Sequence, residues 1–349
     1  MTSLSTQLSR FRSRFLHRLC SKTLGLGLSA NLSLGLSLGL GVIASQDANA
    51  ATPYPDHPIT LVVAYAPGGG VDSMARVLAR ELGIILKQSV IIDNKPGAGG
   101  AIGASYVAHA APDGYTLFVG DVALITTPYL MKKVPYNWAE DFDPISGLSA
   151  APLVLTVPVA SPIKTLAQLI EQGKKSSTGL TFSSAGIGST PHLAGELLKI
   201  RSKSLLTHVP YKGSGPAMLD LIAGRLDFAF STIAAARPFI AQEKLRVLAT
   251  TGTERSTAFQ EFQTVAETVP DFKVIFWTGL LAPSKTPSDI LEKLNDAVRQ
   301  SLVSDLIQDE LKKTGESTNY LSIKQSKDFF ADESKRWGSI ISEAKIQMD

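Results

Sequence analysis

The chain has 349 residues, 44% of them hydrophobic and 19% charged, with a formal net charge of +3. That length suggests about two domains with sizeable cores, and a single cysteine, Cys20, excludes a disulfide framework and a cysteine-based metal centre. The basic excess sits in the first 50 residues, which hold 5 of the 34 Lys and Arg and 1 of the 31 Asp and Glu. The remainder is near neutral and calls for no nucleic-acid partner.

Arg10, Arg12, Arg14, Arg18 and Lys22 precede an apolar run over 24–44, and Ala48-Asn49-Ala50 follows as an A-x-A cleavage site. This order predicts a secretory signal peptide over 1–50, cleaved after Ala50, and export to the periplasm. The alternative is an uncleaved anchor, against which the Gly and Ser in the run argue. Cys20 lies before the run, not at the far end where a lipoprotein would need it. No other stretch is apolar enough to span a membrane.

Residues 59–66 form a β-prone run that empties into Pro67-Gly68-Gly69-Gly70, after which Met74, Leu78, Leu82 and Ile85 share one helical face. Strand, glycine turn and helix start together hold an anion on backbone N–H groups and the helix dipole. Asp72 reads as the helix N-cap. A second strand at 90–93 leads through Asn94 to Gly100 into a small-residue helix over 101–110. A third strand at 115–119 ends in Gly120-Asp121-Val122-Ala123. The alternation predicts a parallel sheet with helices on both faces.

The pattern restarts near 149–152 with a strand at 153–157 and a helix carrying Leu166, Leu169 and Ile170 inward. The strand at 180–182 opens into residues 183–192, another glycine-rich loop, with Ser184, Ala185, Gly188, Ser189 and His192; Ser189 or Thr190 would cap the next helix, and Pro191 suits its first turn. The strand at 205–209 leads to Tyr211-Lys212-Gly213 and a helix with Met218, Leu219 and Ile222. Asp227 falls inside a strand at 226–230, the last strand of this half spans 245–250, and the chain crosses back over 274–282. A helix after Thr286-Pro287 and an amphipathic segment over 323–344 finish it. Two α/β halves with loops at the C-terminal strand ends predict a ligand cleft between domains.

The segments YPDHPITLVVAYAPGGGVDSMAR, IIDNKPGAGGAIGA, APDGYTLFVG, FSSAGIGSTPHLAGELL, THVPYKGSGPAMLDLIAGRLDFAF, LRVLATTGTERS and WTGLLAPSKTP run in one order over nearly all of the chain beyond residue 50. In these the chain resembles the Bug family, the extracytoplasmic solute-binding receptors of the tripartite tricarboxylate transporter system. The resemblance implies a two-domain Venus-flytrap fold of the type II periplasmic-binding kind, crossed twice by the chain. Residues 51–150 and 276–349 would form one domain and 151–275 the other. It further implies capture of a small carboxylate by a cofactor-free monomer and delivery to membrane permease subunits; presentation to a signalling receptor is the alternative.

The candidate ligand-binding residues are Ala66, Gly68, Gly69, Gly70, Asp72, Gly120, Asp121, Ser184, Ala185, Gly188, Ser189, His192, Tyr211 and Asp227. Ser184, Gly188 and Ser189 offer hydroxyls and N–H donors, each hydrogen bond to a charged group being worth roughly 1.5–3 kcal/mol. His192 either enters the cleft or packs, Tyr211 offers a hydroxyl beside Lys212, and Asp227 reads as structural. Asp121 in a cleft would repel an anion but pair with an amino group or share a proton.

Enzymatic readings fail on order and spacing. Ser161-x-x-Lys164, Lys313-Thr314-Gly315 and Ser317-Thr318-Asn319 mimic penicillin-binding motifs, but the third crowds behind the second and K-T-G ends a helix. No G-x-S-x-G elbow, P-loop or dinucleotide fingerprint is present, and His57, His109, His192 and His208 have no metal-ligand spacing.

Overall fold

The computed structural model describes residues 54–252, 254–255, 260–343 and 346. The expected signal peptide, residues 1–50, lies outside them. In chain order the elements are β1 (Ile59–Val63), α1 (Gly70–Leu86), β2 (Val90–Asn94), α2 (Ala101–Ala108), β3 (Thr116–Asp121), α3 (Val122–Leu130), α4 (Trp138–Asp141) and β4 (Phe142–Pro158). Then come α5 (Leu166–Lys175), β5 (Leu180–Ser184), α6 (Thr190–Ser202), β6 (Leu206–Pro210), α7 (Ser214–Ile222), β7 (Phe228–Thr232), α8 (Ile233–Ala241) and β8 (Leu245–Thr250). The chain closes with β9 (Ile275–Pro283), α9 (Ser288–Ser301), α10 (Asp305–Thr314), β10 (Ser317–Thr318) and α11 (Ile323–Glu343). Among the described residues no helix is long and apolar enough to cross a membrane.

Two sheets share one strand. In the first, β1 pairs in parallel with β2 and β3, and β9 runs antiparallel between β3 and β4. In the second, β5 pairs in parallel with β6 and β7, while β7 and β8 run antiparallel to β4. The expected wholly parallel sheet is therefore mixed, because β4 and β9 return antiparallel through it. The strand expected at 153–157 is the far part of β4, which begins at Phe142. Pro144 and Gly147 look like breakers, but each sits at a register shift that the ladder absorbs.

The exchange between sheets occurs at Pro152 and Leu153: Pro152 is the last β4 residue paired with β9, and Leu153 the first paired with β7. Thr251 fastens this point. Its hydroxyl accepts the Leu153 N–H at 2.8 Å and donates to the Val274 carbonyl at 2.6 Å, so one buried side chain ties both crossing strands together.

Helix faces follow the hydrophobic spacing with local exceptions. Met74, Leu78 and Leu82 of α1 are buried, but the last core contact is Leu86, with Ile85 only half-buried. In α7, Met218 and Leu221 are buried while Leu219 is exposed.

Beneath the loop after β5, His208 of β6 stacks on His192 of α6 with ring centroids 4.1 Å apart. His208 Nε2 lies 2.6 Å from Ser184 Oγ, and the Gly188 N–H donates to His192 Nδ1 at 3.1 Å. Burial pushes His192 down to about 4. Burial, then repulsion from His192 and Lys199, pushes His208 down to about 3.

Two outcomes follow from this packing. Thr251→Val keeps the shape but strands a buried N–H and a buried carbonyl at about 1–3 kcal/mol each; a lowered urea midpoint is expected, and an unchanged one would remove the clamp's role. Because both histidines titrate lower in the folded chain than the usual 6.5, the unfolded chain binds protons first as pH falls. Stability present above pH 6.5 is therefore lost progressively towards pH 3–4, with a slope of at most about 1.4 kcal/mol per pH unit for each histidine. Denaturation of His208→Gln across this range should give a flatter profile.

Candidate functional site

Five helices begin against one cavity. It is small and partly open, with a volume of about 20 Å³, and is lined by Tyr65, Gly69, Gly70, Val71, Asp121, Ala185, Pro191, Ser214, Thr232 and Phe276. Gly69 and Asp121 are the N-cap residues of α1 and α3, Thr232 that of α8, and Pro191 and Ser214 belong to the first turns of α6 and α7. First-turn N–H groups have no partner within their helix, and the dipole adds positive potential there. Side chains cap α3 and α8: Asp121 accepts from Ala123 and Thr232 from Ala235. No side chain caps α1, α6 or α7. Three uncapped starts, one from the first sheet and two from the second, thus meet at a cavity whose lining contains no Lys, Arg or His.

The loops of the two sheets close over this space. The Ala66 N–H donates to the Lys212 carbonyl at 2.8 Å, and Thr126 Oγ1 donates to the Gly188 carbonyl at 2.7 Å. At Gly70 the approach leaves no room for a side chain: a Cβ there would lie 2.7 Å from Thr232 Cγ2 and 3.0 Å from its Cβ and Oγ1. At Gly69 the same atom would meet Ser214 at an ordinary 3.9 Å.

Asp72 does not cap α1, contrary to expectation. Gly69 occupies the N-cap, and Asp72, one turn in, reaches back to accept the Gly68 N–H at 3.0 Å. Its carboxylate also takes two bonds from Arg76 at 2.9 Å and one from Asn94, whose amide also donates to the Tyr65 carbonyl. Burial opposes the charge, but these donors outweigh it and hold the carboxyl below its usual range. The network fixes the glycine loop without reaching the cavity.

Asp121 lies in the cavity wall and is only 4% exposed. The Tyr65 hydroxyl donates to Oδ1 at 2.8 Å and approaches Oδ2 at 3.0 Å, while the Ala123 N–H donates to Oδ1 at 3.1 Å. Burial pushes the carboxyl up to about 6 against the pull of these donors. Burial and the Asp121 charge in turn drive the Tyr65 phenol well above its usual range.

Of the other expected contacts, Ala185 lines the cavity, whereas Ala66 and Tyr211 line an adjoining groove of about 600 Å³ that shares Ala185 with it. The Ser184 and Ser189 hydroxyls donate to the Gly186 carbonyl at 3.1 and 2.5 Å and so shape their own loop. Ser189 is the N-cap of α6 by position, but its hydroxyl does not cap. The Gly188 N–H is taken by His192, which packs on His208. Gly120 pairs with Gly279 inside the first sheet. The Tyr211 hydroxyl donates to Asp220 at 2.6 Å. Asp227 precedes β7 instead of lying within it, and accepts from the N–H and hydroxyl of Thr181. Tyr65, Val71, Pro191, Ser214, Thr232 and Phe276 line the cavity without having been singled out from the sequence. Ser214 and Thr232 had a usable signal, since each follows a strand and opens a helix.

Comparison with known proteins agrees with this architecture. The model of the tripartite tricarboxylate transporter family receptor matches residues 74–346. Protein BugT of Bordetella pertussis is 35% identical over 302 residues, 86% of this chain and 93% of its own. A Rhodopseudomonas palustris protein solved with adipate superposes with a TM-score of 0.82 at 32% identity, over 84% of this chain and all of its own. MatC of the same organism, solved with malate, gives 0.79 at 32% identity, over 82% of this chain and all of its own. These likenesses are to solute-binding proteins and not to enzymes. The chain belongs to the tripartite tricarboxylate transporter family of receptors, the Bug proteins.

Proposed function

We propose that this receptor captures a small carboxylate in the periplasm, after removal of residues 1–50, and passes it to a tripartite tricarboxylate transporter permease. The observation that carries the reading is the meeting of three uncapped helix starts, α1, α6 and α7, at one small cavity with no cationic side chain in its lining. A carboxylate there would accept N–H groups that no side chain satisfies and would sit at three positive dipole ends. The adipate and malate held by the two structural relatives are solutes of this kind.

The working cycle follows from the two sheets. Residues 51–150 with 276–349 act as one domain and 151–275 as the other, hinged where β4 and the segment before β9 cross. With the domains apart, α1 lies on one side of the cleft and α6 and α7 on the other. A solute that touches both sides binds the closed form better than the open one and shifts the population towards it. The groove beside Ala185 is the way in.

A thermal-shift screen of the exported protein against mono-, di- and tricarboxylates, amino acids and aromatic acids tests the reading. A carboxylate at 100 times its dissociation constant should stabilise by about 2.7 kcal/mol; a folded protein unmoved by the whole panel would sink it. Gly70→Ala should weaken the best carboxylate of that panel by tenfold or more in calorimetry, because the added Cβ meets Thr232 only on closure. Unchanged affinity would mean that the closed arrangement is not the bound one.

A further inference from the structure

The proposed carboxylate site has one feature a plain anion does not explain. Among the residues lining the cavity one is formally charged, and it is an acid, Asp121. Its Oδ1 accepts from both Tyr65 and Ala123, Oδ2 has the longer Tyr65 contact at 3.0 Å, and the residue's own N–H also supports the carboxylate. A carboxylate offers about four acceptor positions, so these donors do not exhaust it. Resting on the reading of this cavity as a carboxylate site, we propose that the solute is a zwitterion: an amino- or imino-bearing small acid whose carboxylate takes the starts of α1, α6 and α7 and whose ammonium pairs with Asp121. Asp121 is then the residue that selects for the amine.

Among the described residues the cavity lining supplies no competing cation. Tyr65, beyond β1, and Tyr136, beyond α3, are the titratable groups whose behaviour the Asp121 charge perturbs. The segments VALITTPYL of α3 and IFWTGLLAP of β9 carry no charge. On α11, Glu333 is held by Trp277, Trp337 and Arg336. On α1, Arg76 is committed to Asp72. A positive partner for Asp121 would therefore arrive with the solute.

Protonation separates this class from plain diacids. Burial places the Asp121 titration at about 6. An ammonium needs the anionic form, so its affinity falls as pH drops below 6. A diacid crowding the same carboxylate must share a proton with it, so its affinity rises over that interval.

Calorimetry of the exported protein between pH 5 and 8 with matched pairs, L-aspartate and succinate, L-glutamate and glutarate, L-alanine and propionate, reads this directly. In at least one pair the amino member should bind tenfold or more tighter at pH 7.5, and Asp121→Asn should erase that preference while sparing the deaminated member. The asparagine keeps an acceptor for the Ala123 N–H, so α3 retains its cap. Tyr65→Phe removes a donor to the anion and should move the acid limb of amine binding to higher pH. Equal or tighter binding of the deaminated members, or equal loss of both in Asp121→Asn, overturns the zwitterion and leaves carboxylate capture standing. Binding of neither member of any pair overturns both.

Discussion

Everything at the centre of this protein depends on how helix starts are satisfied. A helix leaves its first N–H groups without internal partners, and proteins normally meet them with Ser, Thr, Asp or Asn side chains, at a gain of about 0.5–2 kcal/mol. This chain follows that habit at α4, α5 and α10, with Asn137, Thr165 and Ser304. At three of the five helix starts around the cavity it does not: the residues before α1, α6 and α7 are Gly69, Ser189 and Gly213, and none provides a side-chain cap. Ser189 is the telling case, because its hydroxyl is present but donates to Gly186. Three converging helices thus keep first-turn donors that no side chain caps, as the proposed carboxylate site requires.

The sheets exist to bring those helices together. α1 follows a strand of the first sheet, α6 and α7 follow strands of the second, and β4 runs unbroken from one sheet to the other. Because Pro152 and Leu153 are consecutive residues of one strand, the sheets can change their angle but not drift apart. Thr251 adds the second crossing to the same point. In the proposed cycle this point is the hinge: with few, densely bonded residues it would let the loops separate while the helix starts keep their register on return.

Much of this was legible in the sequence because it is written in local signals. Glycine after a β-prone run, Pro191 in a first turn and the spacing of Met74, Leu78 and Leu82 each depend on neighbours a few residues away, and β1, α1, α6 and α9 form where the sequence places them, although β1 stops at Val63 and α1 begins at Gly70, before Asp72. What stayed hidden depends on distant pairing. Phe276 enters the wall only because β9 runs antiparallel between β3 and β4. Tyr65 looks like one more residue of an apolar run until Asp121, 56 residues on, takes its hydroxyl. Gly69 and Gly70 are equivalent as letters, and only the approach of Thr232 distinguishes them. Ser184, Ser189 and the Gly188 N–H had the right chemistry at the right loop, but their bonds are spent inside it.

The two sides of the cavity are joined by close backbone packing and few hydrogen bonds. Among the described residues two hydrogen bonds join the opposing loops, Ala66 to Lys212 and Thr126 to Gly188. At a net worth of about 1 kcal/mol each, they do little against the cost of drying three uncapped helix starts and the Asp121 carboxylate. Unsatisfied buried donors cost about 1–3 kcal/mol apiece, and more beside a charge. On the proposed reading, the empty receptor opens so that water meets those groups, and a solute that supplies their partners stabilises the closed form. A receptor built in that way would need no strong latch, because the solute would complete its closed state.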